Sequence, residues 1–255
     1  MLQKTVLYAK IKYILMLPGG LPHGKQCLIV ISMIAVMLVG YLLGSISWSI
    51  ILTHALQRKD IRDMGSGNAG MTNVLRTVGK GPAALTLLGD FMKCVVAVLL
   101  SQLILNWAFL SVQDVSPTLE LIRIGRYLTG AACVLGHIFP VFYRFRGGKG
   151  IATAAAMVAM TDWRVFLLVI ATFGLVFLWK KIISLASVIC AALYPVFIFL
   201  FTFFVDFSRH SLSVHYLIFV VGISTFIGGL VIYKHRSNIS RLLRGEEKPI
   251  TSKKK

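Results

Sequence analysis

The sequence predicts an all-α, polytopic integral membrane protein of about seven transmembrane helices, with its N-terminus outside and its C-terminus cytoplasmic. Three observations carry that expectation. The 255 residues are 57% hydrophobic and only 14% charged, against the roughly 25% charged residues of an average soluble domain. The mean hydropathy is +0.80, and several apolar runs reach the ~20 residues that cross a bilayer as a helix. Basic residues collect in alternate connecting segments, as cytoplasmic loops do.

The spans follow in order. Residues 31–53 form the first, closed by the charged "QRKDIRDM". The second, 83–107, carries Asp90 and Lys93 at i, i+3; charges inside hydrocarbon are costly, so these two are expected to pair with one another or with another buried group. The third, 122–142, contains His137 ahead of Phe139 and Pro140, expected as a structural hydrogen-bonding group. The segment 150–160, "GIATAAAMVAM", is short but rich in small residues, which suits a helix packed inside a bundle; it is counted as a span. Residues 163–179, 184–205 and 214–233 complete the set. Cys94, Cys133 and Cys190 fall within spans without a C-x-x-C spacing, so neither a disulfide framework nor a zinc site is implied.

With the 31–53 helix entering from outside, the inner segments hold 18 of the 27 basic residues: Arg58 to Lys80, Arg144 to Lys149, Lys180 and Lys181, and the tail from Lys234 to Lys255. The opposite side keeps Arg123, Arg126, Arg164 and Arg209, balanced by Asp114, Glu120, Asp162 and Asp206. The net charge of +18 therefore describes an inner face suited to anionic lipid and anionic substrates, with no nucleic acid required. Residues 1–30 are an N-terminal extension, 31–250 the membrane domain and 251–255 a basic tail. The extension carries Lys4, Lys10, Lys12 and Lys25, the wrong charge for an outer segment. An amphipathic surface stretch and a later start, at Met33 or Met37, both remain open for it.

Four hydrophilic patches lie on the predicted inner face. The first, "DMGSGNAGMTNVLRTVGK", contains G-x-G-x-x-G at Gly65, Gly67 and Gly70. That string announces a dinucleotide fold only between a strand and a helix, and charged loop material precedes it here. The second, "GHIFPVFYRFRGGKGIAT", presents Gly147, Gly148 and Lys149; it is not a Walker A loop, because Tyr143 stands where the leading glycine belongs and no Ser or Thr follows Lys149. The third offers Ser184 and Ser187, one turn apart. The tail supplies His235, Asn238, Arg241, Glu246 and Glu247. Glycine-rich turns with Ser, Thr and Asn offer convergent donors, an anion-binding nest, and Arg76 and Lys149 add positive charge. Two such turns and two cations predict a site for more than one phosphate. Few acids are available to hold Mg²⁺, so no metal and no cofactor is expected.

In order and register, "GSGNAGMTNVLR", "GHIFPVFYRFRGGKGIAT", "SLAS" and "HRSNISRLLRGEE", with "YLLGSIS" and "GDFMK", closely resemble the bacterial acyl-phosphate:glycerol-3-phosphate acyltransferase family over residues 31–250. The resemblance implies a seven-helix inner-membrane enzyme with its active site at the cytoplasmic face. Such an enzyme moves a fatty acyl group from acyl phosphate to the 1-hydroxyl of sn-glycerol 3-phosphate, giving lysophosphatidate and phosphate, the first acylation of phospholipid synthesis. Membrane lipid and the enzyme that supplies acyl phosphate are the further partners implied. By the same resemblance Ser66, Gly67, Asn68, Thr72 and the Gly147–Gly148 backbone hold the acyl phosphate. Arg76, Lys149, His235 and Asn238 bind glycerol 3-phosphate, Ser184 or Ser187 contributes nearby, and Glu247 orients the cluster. Ser66, Lys149 and Asn238 are the residues assigned to catalysis. Ser47, Cys94 and Ala156 depart from the family pattern, where proline, glycine and glycine are expected; all three are packing positions.

Acyl phosphate is already activated, so direct attack by the substrate hydroxyl is expected, without an acylated serine. The rival from another class is a membrane transporter of a phosphorylated anion, which predicts polar groups spread through the spans and internal repeats.

Overall fold

A computed structural model describes residues 23–110, 119–208, 212–247 and 249. Most of the N-terminal extension, Asp114, Arg209, Lys248 and the 251–255 tail lie outside the described residues. Among the described residues the secondary structure is entirely helical. The helices are α1 (His23–Gly44), α2 (Trp48–Gln57), α3 (Met71–Thr77), α4 (Lys80–Leu110), α5 (Leu119–Ile138), α6 (Ile151–Thr161), α7 (Trp163–Lys180), α8 (Ile183–Phe201), α9 (Val214–Lys234) and α10 (Arg236–Leu243).

Among the described residues, five segments are long and apolar enough to cross a membrane: Gly24–Gln57, Lys80–Phe109, Trp163–Lys180, Ile183–Phe207 and Val214–Lys234. Helix α5 is not among them, since Glu120, Arg123 and Arg126 crowd its first turns. Helix α6 is apolar but short, and its Thr153, Ala156, Met157 and Val158 are buried. The predicted all-α bundle is thus observed, while the count of seven and the orientation remain expectations. Large side chains such as Leu175, Leu178 and Trp179 point outward, more than 60% exposed. Small residues meet inside: Gly44 lies against the Cys133 backbone and Gly136 against Tyr41 O, where a Cβ would collide.

Three boundaries differ from the sequence reading. The first described helix already runs from His23, ahead of residue 31, and its Ile29 and Met33 pack with Leu105, Phe109 and Leu121. The 31–53 span is not continuous: it breaks at 45–47 between α1 and α2. There the Ser45 hydroxyl bonds back to Tyr41 O (2.9 Å), and Ile46 O accepts from Lys93 Nζ at 2.6 Å. Such a break at membrane depth is tolerated only where other groups satisfy the freed backbone. Helix α5 ends at Ile138, four residues early, since Pro140 cannot continue it and 141–143 form a 3₁₀ turn. Beyond α8 the chain continues as a π-helical turn, Thr202–Phe207.

Polar contacts sort the connections into two ends. At one end Ser213 donates to Glu120 Oε2 (2.8 Å), while Arg164 bridges Asp162 (2.7 Å) and Asp206 (2.7 Å). At the other, Arg62 Nη1 reaches Tyr143 O (2.8 Å), Lys149 reaches Asn238, and Ser184 reaches Glu247 (2.7 Å). The four patches read from the sequence therefore meet at one end of the bundle.

Candidate active site

The tail builds the centre of this site. Residues His235, Asn238 and Arg241 recur every three positions, so they share a face of the chain through α10; His235 and Asn238 are buried, whereas Arg236, Ser237 and Ser240 are exposed. Helix α10 stops at Gly245, whose φ of +70° is the left-handed conformation glycine supplies past a helix end. That turn folds Glu247 back onto the helix. Its carboxylate accepts from Ser184 Oγ (2.7 Å) and Asn238 Nδ2 (2.8 Å) through one oxygen, and from Arg241 Nε (2.6 Å) through the other. Burial alone raises a carboxyl pKa; here the bonds from Arg241, Ser184 and Asn238 outweigh it and hold Glu247 below its ordinary value.

Asn238 passes the connection on. With Nδ2 committed to Glu247, its Oδ1 faces Lys149 Nζ. Burial pushes the Lys149 ammonium down to about 8, with Arg241, Arg76 and Lys234 adding repulsion and Glu247 opposing. Three further cations and one engaged acid, Glu247, thus lie within electrostatic reach of Lys149, an excess of positive charge suited to an anion. His235 differs in kind. Its Nδ1 lies 2.8 Å from Val231 O, so Nδ1 carries the hydrogen and Nε2 is left as an acceptor. Burial pushes the imidazole down to about 4, which makes it neutral at physiological pH and suited to accept from a hydroxyl. One turn from Ser184, the buried Ser187 Oγ has no hydrogen-bond partner within the protein.

The first loop is organised by Asn73, in the opening turn of α3. Its Nδ2 donates to Ile61 O (3.1 Å), Met64 O (2.9 Å) and Asn68 O (3.2 Å), and its Oδ1 accepts from Ser66 N (3.0 Å). Gly65, at φ +56°, sits on that side chain, where any Cβ would clash. The Ser66 side chain and Gly67 are exposed, Asn68 and Thr72 half-buried, and Arg76 exposed.

Four amides of the two glycine-rich turns are already bonded within the protein. Ser66 N serves Asn73, and Gly67 N donates to Met64 O (3.0 Å). Gly147 N donates to Ile138 O (3.3 Å) and Gly148 N to His137 O (3.1 Å). These amides are committed to the protein's own carbonyls, so the expectation that Gly147 and Gly148 grip a phosphate through backbone N–H groups is revised. Their lack of a side chain serves close approach instead: Gly147 lies against His137 O, and Gly148 between the His137 ring and Ala69 O. The second contact joins the two loops.

Arg241 and Asn73 stand in the sequence-read patches without an assigned role, and Lys234 counts there only as a basic residue of the tail. The i, i+3, i+6 spacing from His235 was the available signal for Arg241. Nothing in the sequence marks Asn73 out from Asn68, since its importance lies in the loop conformation it holds.

Comparison with known proteins gives a consistent result. Residues 34–245 match the family "Glycerol-3-phosphate acyltransferase". A glycerol-3-phosphate acyltransferase of Clostridioides difficile is 38% identical over 225 residues, covering 88% of this chain and 98% of that one. One of Thioalkalivibrio sulfidiphilus is 38% identical over 221 residues, covering 87% and 95%. The crystal structure of PlsY (YgiH), an integral membrane glycerol 3-phosphate acyltransferase, in its glycerol 3-phosphate form superposes with a TM-score of 0.67 at 34% identity, covering 86% of this chain and 96% of that one.

Proposed function

The chain belongs to the glycerol-3-phosphate acyltransferase family, and from that premise we propose that it transfers a fatty acyl group from acyl phosphate to the 1-hydroxyl of sn-glycerol 3-phosphate. The products are lysophosphatidate and phosphate. The observation that carries the reading is the gathering of Arg76, Arg241 and Lys234 about Lys149, with the one acid there, Glu247, already bound by Ser184, Asn238 and Arg241. Family membership in an acyltransferase replaces the transporter alternative.

In this reading the enzyme has seven membrane crossings, the short α6 and the polar α5 included. Its loops from 58 to 80 and 139 to 149 and its tail face the cytoplasm from the inner membrane, as the basic residues argue. Glycerol 3-phosphate binds with its phosphate on Arg76 and Lys149 and with a hydroxyl near Ser184, Ser187 and the acceptor nitrogen of His235. The acyl phosphate lies against Ser66, Gly67, Asn68 and Thr72. The substrate hydroxyl attacks the acyl carbonyl; the ester C–O bond forms, the C–O bond to phosphate breaks, and the hydroxyl proton leaves on the phosphate. Lys149 meets the charge gathering on the departing phosphate, a role in which one preorganised donor is worth about 3–4 kcal/mol. Asn238 and Glu247 aim that ammonium. Ser66 lines the proton path, and a nucleophilic serine is unnecessary because phosphate leaves readily.

Purified protein in detergent is given glycerol 3-phosphate with acyl phosphate, acyl-CoA or acyl carrier protein as donor, and lysophosphatidate is measured by mass spectrometry. Product with acyl phosphate alone is expected; equal turnover with acyl-CoA, or an acyl group retained on Ser66 after denaturation, refutes the mechanism.

A further inference from the structure

We propose that the buried Asp90–Lys93–His137 cluster is the positioning device of the glycine-rich loop, fixing the backbone from which Lys149 projects. Lys93 is 6% exposed, Asp90 2% and His137 6%. An ammonium has three N–H bonds, and Lys93 Nζ has three acceptors: Ile46 O at 2.6 Å, Asp90 Oδ1 at 2.9 Å and His137 Nδ1 at 3.0 Å. These acceptors belong to three elements. Ile46 lies in the break between α1 and α2, Asp90 on α4, and His137 in the last turn of α5. Thr153 of α6 adds a bond to Asp90 O at 3.3 Å. The cluster therefore ties four elements at one point.

What leaves that point is the loop. His137 O and Ile138 O receive Gly148 N and Gly147 N, and the His137 ring is the surface Gly148 rests on. Helix α1 and the break after it supply one further tie each, since Tyr41 Oη donates to Phe139 O (2.8 Å) and Val141 N donates to Ser45 Oγ (3.3 Å). Both ends of 139–148 are thus referenced to the same cluster, and Lys149 follows directly. A helix pair held only for stability needs no lysine aimed at a carbonyl in a helix break. A loop that must keep an ammonium in place needs such an anchor, because misplacement by about 1 Å costs roughly 10²-fold in rate.

The inference rests on the acyl-transfer reading, and its test separates the two. Lys93→Met should lower kcat by about 10²-fold and kcat/KM for glycerol 3-phosphate by at least as much, because the displaced Lys149 serves both the bound phosphate and the transition state. Gly148→Ala should cost activity too, and the double variant should lose no more than the worse single one, since both act through one path. His137→Asn, whose side-chain oxygen falls near the original Nδ1, should keep at least a third of kcat, whereas His137→Leu should lose as much as Lys93→Met. Arg164→Gln, which breaks the ion pairs at the far end of the bundle, should lower Tm and leave kcat within twofold. Hydrogen exchange over residues 139–150 reads the same device without turnover: Lys93→Met should speed it tenfold or more, and Arg164→Gln should not. Near-parental kcat in folded Lys93→Met, additive losses in the double variant, equal loss in the two His137 variants, or unchanged exchange overturns the positioning role. An inactive parent protein with faster exchange in Lys93→Met overturns the acyl-transfer reading instead and leaves the anchor standing.

Discussion

Raising the pH removes the charge on which the proposed phosphate site depends, and the structure fixes where that happens. Lys149 drops from 10.5 to about 8, roughly 3 kcal/mol against its ammonium. The sign follows directly: below about 8 the side chain is charged and binds an anion, and above it the neutral amine does not. At pH 7 about nine-tenths of the free enzyme carries the charge, and at pH 9 about one-tenth. Because kcat/KM reports the ionisations of free enzyme, log kcat/KM for glycerol 3-phosphate should bend downward near pH 8 and fall about tenfold per unit beyond it. Initial rates of lysophosphatidate formation, corrected for uncatalysed loss of acyl phosphate, give the profile. Calorimetric binding of glycerol 3-phosphate gives the same limb without chemistry. In Lys149→Arg the guanidinium stays charged, so the binding limb should vanish below pH 10. A parent profile flat to pH 10, or a limb that survives in Lys149→Arg, refutes the assignment.

Other perturbations test the remaining parts. Glu247→Gln leaves three donors facing a neutral amide; hydrogen bonds to charged groups are worth about 1.5–3 kcal/mol, so steady-state kinetics should show kcat/KM at least tenfold lower. The Glu247 carboxyl is depressed in the folded protein, so its contribution is present above its ordinary pKa of about 4.3 and lost as pH falls through the folded value. Hydrogen-exchange protection in 236–247, measured against the intrinsic rate at each pH, should accordingly fall in acid in the parent and be lower at neutral pH in the variant. Arg76→Ala should raise KM for glycerol 3-phosphate with little change in kcat, since a phosphate contact equal in ground and transition states is uniform binding. An unchanged KM rejects that contact.

Much of this was legible in the primary structure because membrane chemistry writes it plainly. Length and hydropathy gave α4 and α7 to α9, small residues pointed to α6, and Asp90 and Lys93 announced a buried pair simply because hydrocarbon penalises lone charges. The same reasoning did not reach the break at Ser45–Ser47. No proline or glycine pair marks it, and its stability comes from Lys93, 47 residues away. The tail was legible as polar residues at helical spacing, yet the return of Glu247 onto Asn238 depends on one left-handed glycine. The glycine-rich turns illustrate the opposite case. They read as phosphate cradles, whereas Gly147 and Gly148 use their amides on α5 and their missing side chains on packing. Composition names the residues a loop owns; only the path of the backbone decides which donors are left over.

The account stands on the meeting of four separated segments at a single membrane face, and labelling from outside the cell tests that most directly. Cys94, Cys133 and Cys190 are buried and Cys27 is exposed, so in a Cys27→Ser background single Ser66→Cys and Ser237→Cys variants are treated with a membrane-impermeant maleimide, before and after permeabilisation. Both cysteines should stay silent in intact cells and react once the inner face is opened, while Cys27 of the parent reacts from outside. Reaction of position 66 and position 237 from opposite sides would contradict a shared pocket.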